Sequence, residues 1–202
     1  MANIYLVRHG QDEDNAAGVL NGRRDMPLTQ KGSEQASAAG EILVRTRKVF
    51  GAIYHSPLRR TQQTALSIAE ALEGSSLPLV AVSDLIERDF GIMTGKGKAA
   101  IPGTCSDILR TERIDYFLSG EGVESFPQVL ARASRVLMEL HQRHPEENII
   151  AVSHGDVMMM LIAAHYALPW KEVLTIVHID NSDIIRLSHD SGGFCEEDLL
   201  LR

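Results

Sequence analysis

Three short runs of the sequence carry residues that could do chemistry together. Each follows an apolar stretch: Arg8-His9-Gly10, then residues 55–60 with Arg59 and Arg60, then Ser153-His154-Gly155. The apolar stretches are typical of buried strands in a parallel sheet, and ligands bind beyond the carboxyl ends of such strands. If the three strands are neighbours, histidines and arginines surround one point. Arginine binds phosphate oxygens bidentately, so this pattern predicts a site for a phosphate dianion.

The elements that must position these runs alternate between strands and helices. Thr29 and Ser56 are expected N-caps, and Pro57 is expected at the first helical position. The alternation predicts a three-layer α/β/α sandwich around a mostly parallel sheet. Apolar runs predict strands at 3–7, 49–54, 79–82 and 148–152, and helical spacing predicts helices at 31–47, 57–72, 125–144 and 156–168.

The remaining segments give weaker signals. Residues 8–26 form a long polar connection, and connections of that length are usually functional, whereas 94–103 is expected to be a mobile surface loop. Apolar spacing predicts a helix at 106–118. Strands are expected at 173–179 and 184–188, and the turn between them is short enough for a hairpin. One strand of this pair is therefore expected to run antiparallel to its neighbour in the sheet.

The composition is typical of one globular domain. The chain has 202 residues, 44% hydrophobic and 23% charged, with a net charge of −7. We expect a single domain over 1–202, with a loose acidic tail from about 190 to 202. An acidic chain lacks a basic footprint for nucleic acid, and the longest apolar run, 157–164, is too short to cross a membrane. With no signal peptide recognisable, we expect a cytoplasmic protein with free thiols at Cys105 and Cys195.

Four blocks of residues, in order along the chain, resemble the phosphoglycerate-mutase-like branch of the histidine phosphatase superfamily. They are Arg8-His9-Gly10, residues 56–60 (Ser-Pro-Leu-Arg-Arg), Glu87 followed by Phe90-Gly91, and Ser153-His154-Gly155. A lone Arg-His-Gly would be a weak signal, but four blocks at fitting separations span most of the chain. The resemblance implies the family's form of the α/β/α sandwich, with one antiparallel strand.

The resemblance also implies a mechanism in which a histidine carries the phosphoryl group. His9 would attack phosphorus, which a neutral imidazole can do near pH 7. Arg8, Arg60 and His154 would hold the phosphoryl oxygens as charge spreads over them. Glu87 would protonate the leaving oxygen and then take a proton from water. No metal and no other cofactor is implied.

Around this centre the resemblance implies a set of substrate-binding residues. Arg88 and Lys98 stand where the mutases of the family have an arginine and a lysine. The alternatives are simpler: Glu87 could be an ordinary surface carboxylate, and Lys98 a solvated loop residue. The implied substrate-binding set is Asn15, Asn21, Gly22, Arg88, Lys98 and Gly155.

Three functions are compatible with the sequence, and a phosphomonoester hydrolase for a small phosphorylated metabolite is preferred. A phosphoglycerate-mutase type of transferase, with 2,3-bisphosphoglycerate as cofactor, is the alternative. Against it, Phe90 replaces the tyrosine of the mutases. The third function is a phosphoester-binding regulatory module with little turnover, which only Asp12 favours. Its carboxylate stands near a position where many members have a hydroxyl. A homodimer is left open.

Overall fold

The computed structural model describes residues 3–72 and 77–188, which form a five-stranded sheet, a separate hairpin and flanking helices. The strands are β1 (Ile4–Arg8), β2 (Phe50–His55), β3 (Leu79–Ala81), β4 (Ile108–Arg110), β5 (Asp115–Phe117), β6 (Asn148–Ser153) and β7 (Ile184–Leu187). The helices are α1 (Glu13–Ala17), α2 (Gln30–Arg45), α3 (Arg59–Ala71), α4 (Ile101–Thr104), α5 (Phe126–Arg143), α6 (Gly155–His165) and α7 (Trp170–Ile176).

The central sheet has the strand order β3-β2-β6-β1-β7. Its first four strands are parallel, and β7 pairs antiparallel with β1. The predicted fold class is therefore confirmed. In the register of the sheet Arg8 lies opposite Ser153, and His55 lies opposite Val152. The carboxyl ends of β1, β6 and β2 consequently meet at one edge.

The two faces of the sheet are covered by different helices, because successive side chains of a strand point to opposite faces. Ile4 and Leu6 of β1 pack in a core with apolar residues of α5, α6 and α7. Tyr5 and Val7 pack in a second core with residues of α2 and α3. Burial of β1 on both faces accounts for its continuous apolar sequence.

The helix predicted at 106–118 is wrong, since the chain forms the β4–β5 hairpin there. Ile108 lies opposite Phe117, and the turn is closed by bonds from the backbone N–H and the hydroxyl of Thr111 to Ile114 O. β-Branched and aromatic residues suit a half-buried strand pair. The helix prediction rests on the spacing of Ile108, Leu109 and Phe117 along the chain, and three apolar residues are too few to distinguish a helix from two short strands.

The strand predicted at 173–179 is also wrong, because α7 occupies most of that segment. Pro169 precedes the helix, and Val173, Leu174 and Val177 are buried at a spacing that lies on one helical face. The hairpin expected between 173–179 and 184–188 is therefore absent, and β7 alone supplies the antiparallel strand. The predicted acidic tail and Cys195 lie outside the described residues.

The two long connections contain short helices. The helix α1 lies within 8–26, and 94–103 contains the 3-10 turn Lys98–Ala100 and the start of α4. Ile101 is buried beside Phe90 and Met93, so the second connection packs on a small apolar cluster. Across residues 3–72 and 77–188, no helix has the length and apolar character needed to span a bilayer.

Candidate active site

The site lies where β1, β6 and β2 end. His9 follows β1, His154 follows β6 and is the N-cap of α6, and Arg60 stands in the first turn of α3, which follows β2. The centroids of the two histidine rings are 5.1 Å apart. The sheet thus brings together the three runs that the sequence singles out, as expected for neighbouring parallel strands.

His9 is held by its own strand end. Its Nδ1 lies 2.7 Å from Gly10 O, and the ring is buried. A carbonyl oxygen only accepts, so Nδ1 carries the hydrogen and Nε2 carries a lone pair. Burial, with the Arg60 and Arg8 cations, holds the pKa of His9 well below its usual range. The ring is therefore neutral, and its lone pair lies on Nε2, the nitrogen that accepts from Arg60 Nε.

Gly10 allows this strand end to approach α2 closely. A Cβ at Gly10 would collide with Gly32 O, and a Cβ at Gly32 would collide with Gln11 O. The backbone N–H of Gly10 donates to Thr64 Oγ1 at 3.1 Å. The position of His9 therefore depends on a contact between two backbones that only glycine permits.

Arg60 connects the two histidines. Its Nε lies 3.2 Å from His9 Nε2 and 3.3 Å from His154 Nδ1. Its Nη1 and Nη2 donate to Arg24 O at 2.6 Å and to Gly22 O at 2.8 Å. The guanidinium is fully buried, so carbonyls of the 22–24 segment set its orientation.

His154 is held by Ser56, whose Oγ lies 2.8 Å from His154 Nε2. Burial, with the Arg60 cation, holds the pKa of His154 well below its usual range. The sequence suggests Ser56 as an N-cap, and this is wrong: Leu58 is the N-cap of α3 and Pro57 precedes the helix. Ser56 instead orients a site histidine, a role that no local pattern indicates.

Asp12 belongs to the support of the site. Its carboxylate accepts from the backbone N–H of Asn15 at 2.7 Å, as N-cap of α1, and from Asn21 Nδ2 at 2.6 Å. Its Oδ2 also lies 3.3 Å from Arg60 Nε. Burial raises the pKa of Asp12, although these donors oppose that effect. Asp12 thus ties α1 and the 21–24 segment to the buried arginine.

Glu87 lies after β3 and is 6% exposed. Its Oε1 accepts the backbone N–H of Arg88 at 2.8 Å. Burial, together with the Asp156 carboxylate, raises the pKa of Glu87 to about 7. A carboxyl group with this pKa can both donate and accept a proton near neutral pH.

Arg88 is committed to the protein itself. Its Nε donates to Asp156 Oδ2 at 2.6 Å and its Nη1 to Phe117 O at 3.2 Å. The guanidinium carbon also lies 4.3 Å from the ring centroid of Phe117 and 4.4 Å from that of Phe126. This buried cation already has an anionic partner, which limits what it can offer a substrate.

A cavity of about 130 Å³ opens beside these groups. The cavity is not lined by His9, Arg60, His154 or Gly22. Arg60 hydrogen-bonds to each of the other three. Three residues that the sequence did not predict line the cavity: Asp115, Tyr116 and Asp156. The predicted residues that line it are Arg8, Asn15, Asn21, Glu87, Arg88, Lys98 and Gly155.

Over the described ranges, 3–72 and 77–188, no group of three or more histidine, cysteine or acidic residues is placed to hold a metal ion. Cys105 is buried as a free thiol.

Asn181 is a further site residue that the sequence did not predict. It lies in a turn far along the chain, and its side-chain amide donates to His9 O at 3.0 Å.

The fold and the site define a class of α/β sandwich proteins with paired histidines and arginines at the carboxyl edge of a parallel sheet. The chain belongs to the histidine phosphatase superfamily (branch 1), whose family model matches residues 4–199.

Relatives of two kinds are similar to this chain in sequence. The chain is 31% identical over 191 residues to the 2,3-bisphosphoglycerate-dependent phosphoglycerate mutase of Bartonella henselae, covering 89% of this chain and 93% of that protein. It is 32% identical over 165 residues to phosphoserine phosphatase 1 of Hydrogenobacter thermophilus, covering 81% and 76%. The solved structure of mycobacterial hydrolase 1 has a TM-score of 0.79 at 25% identity, covering 98% of this chain and 94% of that one. Phosphomonoester hydrolysis fits this family.

Proposed function

We propose that the protein hydrolyses small phosphomonoesters through a phosphohistidine formed on His9. The observation that carries the proposal is the state of the His9 ring. It is buried and neutral, with Nδ1 bonded to Gly10 O and Nε2 directed toward Arg60. An imidazole fixed in this tautomer is a competent nucleophile.

In the first step, His9 Nε2 forms a bond to phosphorus as the bond from phosphorus to the leaving oxygen breaks. Arg8 and Arg60 supply positive charge to the phosphoryl oxygens, and His154 supplies a further polar contact. Arg8 lines the cavity and its buried Nε has no partner among the described residues, so it can donate to a phosphoryl oxygen.

Glu87 manages the proton in both steps. In its neutral form it donates the carboxyl proton to the leaving oxygen. The resulting carboxylate then takes a proton from water as the water oxygen attacks phosphorus and the bond to His9 breaks. A group with a pKa of about 7 suits both directions near neutral pH. In this proposal Arg8 and Arg60 supply the positive charge that balances the phosphate, and the mechanism uses no metal or other added cofactor.

The engagement of Arg88 favours hydrolysis over mutase chemistry. A mutase must hold the acidic group of its substrate while the phosphoryl group moves, but Arg88 is already paired with Asp156. The nearby arginines of the hairpin, Arg110 and Arg113, do not line the cavity. Lys98 does line it and supports the mutase alternative, as does the similarity to a named mutase.

Phosphoenzyme trapping tests the proposal. Brief mixing with para-nitrophenyl phosphate and an acid-free quench should leave an alkali-stable, acid-labile phosphoryl group on wild-type protein and none on His9→Ala. His55→Ala is the matched control, because His55 also lies buried at a strand end with Nδ1 2.7 Å from the next carbonyl, Ser56 O. His55→Ala should still label. Equal labelling or equal background hydrolysis by wild type and His9→Ala would overturn the proposal.

A second assay separates hydrolysis from mutase chemistry. Incubation with 3-phosphoglycerate and a trace of 2,3-bisphosphoglycerate should release inorganic phosphate if water takes the phosphoryl group from His9. Formation of 2-phosphoglycerate without free phosphate would establish the mutase alternative and its cofactor. Absence of both, with a measurable affinity for phosphate, would indicate the regulatory module.

The proposal includes the setting in which the protein works. We propose a cytoplasmic enzyme with a small phosphorylated substrate and no nucleic-acid or membrane partner, in agreement with the net charge of −7. Whether it forms a homodimer can be read from its mass in sedimentation equilibrium. A single domain over residues 1–202 predicts one cooperative unfolding transition.

A further inference from the structure

The segment 179–183 lies between α7 and β7 and contains none of the motif residues. It nevertheless hydrogen-bonds to residues of the phosphoryl site. Ile179 O accepts from Arg8 Nη1 at 2.6 Å, and the backbone N–H of Ser182 donates to Arg8 O at 3.1 Å. Asn181 Nδ2 donates to His9 O at 3.0 Å and to Asn15 Oδ1 at 3.1 Å. One side chain therefore contacts two residues of the site.

We propose that Asn181 is a positioning residue that turns the amide N–H groups of Asn15 toward the bound phosphate. This inference rests on the proposed function, since it requires an anion in the cavity beside His9. It assigns Asn181 a role in the affinity for the phosphoryl group, beyond its role in the turn.

The polarity of the contacts fixes the direction of both amides. His9 O can only accept, so the Asn181 atom beside it must be the nitrogen. The same nitrogen faces the Asn15 side chain, which must therefore present its oxygen to Asn181. The Nδ2 group of Asn15 is left on the other side, and Asn15 lines the cavity. An anion in the cavity therefore faces the donor Nδ2 of Asn15, because the acceptor Oδ1 of Asn15 is bonded to Asn181.

The rest of Asn15 is held independently of Asn181. Its backbone N–H donates to Asp12 Oδ1 at 2.7 Å, which places it in the first turn of α1. Loss of Asn181 should therefore leave the position of Asn15 intact while freeing its amide to rotate. In the turn, Ser182 has φ 64, a conformation uncommon for a residue with a side chain. Surrounding contacts must hold it there.

Asn181→Asp is the sharpest perturbation, because the carboxylate keeps the shape of asparagine but cannot donate. Its only favourable contact with Asn15 requires that amide to reverse, which would point Oδ1 of Asn15 at the phosphate. Inorganic phosphate measured by calorimetry should bind Asn181→Asp roughly tenfold or more weakly than wild type. Asn181→Ala removes the donor without forcing the reversal and should lose about threefold.

A double-mutant cycle with Asn15→Ala separates this role from simple stabilisation. If Asn181 acts through the Asn15 amide, the roughly threefold loss in Asn181→Ala should disappear when Asn15 is already alanine, whereas the charge that Asn181→Asp adds repels phosphate in either background. An unchanged loss of about threefold for Asn181→Ala in that background would overturn the inference, and so would wild-type affinity in both Asn181 variants. If Asn181→Asp does not fold, Asn181→Ala carries the same cycle, and full additivity with Asn15→Ala overturns the inference.

A second asparagine pair supplies the matched control. Asn148 Oδ1 accepts from Asn3 Nδ2 at 3.1 Å, and Asn148 Nδ2 donates to Val49 O at 3.2 Å, at the opposite end of the sheet. Asn148→Asp should lower Tm and leave phosphate affinity within about twofold of wild type. Failure of wild type to bind phosphate and to hydrolyse esters would overturn the proposed function as well. Normal ester hydrolysis, without coupling between Asn181 and Asn15 in the double-mutant cycle, would overturn only the role of Asn181.

Discussion

Replacement of Glu87 by glutamine should stabilise the protein at alkaline pH while it removes the catalytic acid. Burial, with the Asp156 carboxylate, raises the pKa of Glu87 to about 7. Ionisation of Glu87 therefore lowers the stability of the folded chain. Glutamine keeps the Oε1 acceptor that the backbone N–H of Arg88 uses, and it cannot ionise.

The direction of the effect follows from the linkage between protonation and folding. A carboxyl group whose pKa is raised by folding contributes stability that is fully present below its unfolded pKa, near 4.5, and is lost as pH rises through about 7. Each unit between the two pKa values corresponds to about 1.4 kcal/mol. Wild type should therefore lose up to about 3 kcal/mol between pH 4 and pH 8.5 that Glu87→Gln does not lose.

Thermal unfolding of both proteins at the two ends of this range measures the difference. At about 2–4 °C per kcal/mol, Glu87→Gln should unfold roughly 6–12 °C above wild type at pH 8.5 and close to wild type at pH 4. Its turnover of an alkyl phosphate should fall by about 10²–10⁴. A Tm difference of the same size at both pH values, or a lower Tm for Glu87→Gln at pH 8.5, would refute the reasoning.

Glu124 provides a control of opposite sign. It is partly buried, but Arg132, the backbone N–H of Asp89 and Arg23 together lower its pKa. Arg132 Nε donates to Glu124 Oε1 at 2.9 Å. A carboxyl group with a lowered pKa contributes stability above its unfolded pKa, and that stability is lost as pH falls. Glu124→Gln should therefore lower Tm at pH 8.5, and the deficit should shrink toward acid pH.

Three further substitutions test the support of the site. Asp12→Ala should lower the free energy of unfolding by about 3–5 kcal/mol, because it leaves the buried Arg60 cation without its carboxylate, and denaturant titration measures this. Ser56→Ala should lower kcat/KM for para-nitrophenyl phosphate about 5- to 10-fold with a small change in Tm, because His154 loses one orienting hydrogen bond. Gly10→Ala should lose about 2–4 kcal/mol of stability, since the added Cβ collides with Gly32 O.

The sheet could be predicted from the sequence because its strands are buried on both faces. Such strands read as continuous apolar runs, and the predicted strands at 49–54 and 148–152 differ from the observed β2 and β6 by a single residue at one or both ends. The N-cap role of Thr29 was also predictable, since its side chain accepts from the backbone N–H of Gly32 three residues on. Signals of this kind depend on neighbours in the sequence.

The failed predictions concern segments whose structure depends on distant packing. The β4–β5 hairpin and α7 are both short, so the spacing of their apolar residues fits either a strand or a helix until the burial pattern is known. Val173 and Leu174 pack in the same core as residues of α5 and α6. That contact favours a helix over the strand that local propensity suggests.

The support of the site was the least predictable part, because it is built from long-range hydrogen bonds. Asn181 and His9 are 172 residues apart, and Ser56 and His154 are 98 apart. Motif residues can be recognised one by one, whereas the side chains that orient them form no pattern along the chain. The proposed roles of the motif residues remain predictions that the His9 and Glu87 variants address.

The position of Asp12 bears on the choice between an enzyme and a binding module. From the sequence, a carboxylate near the phosphate favoured a binding module, because like charges repel. In the structure Asp12 does not line the cavity, and its oxygens face the backbone N–H of Asn15, the amide of Asn21 and Arg60 Nε. A fully buried guanidinium between two neutral histidines would be costly without an anion nearby. Asp12 supplies that anion, so its presence favours a charged Arg60 in a working site.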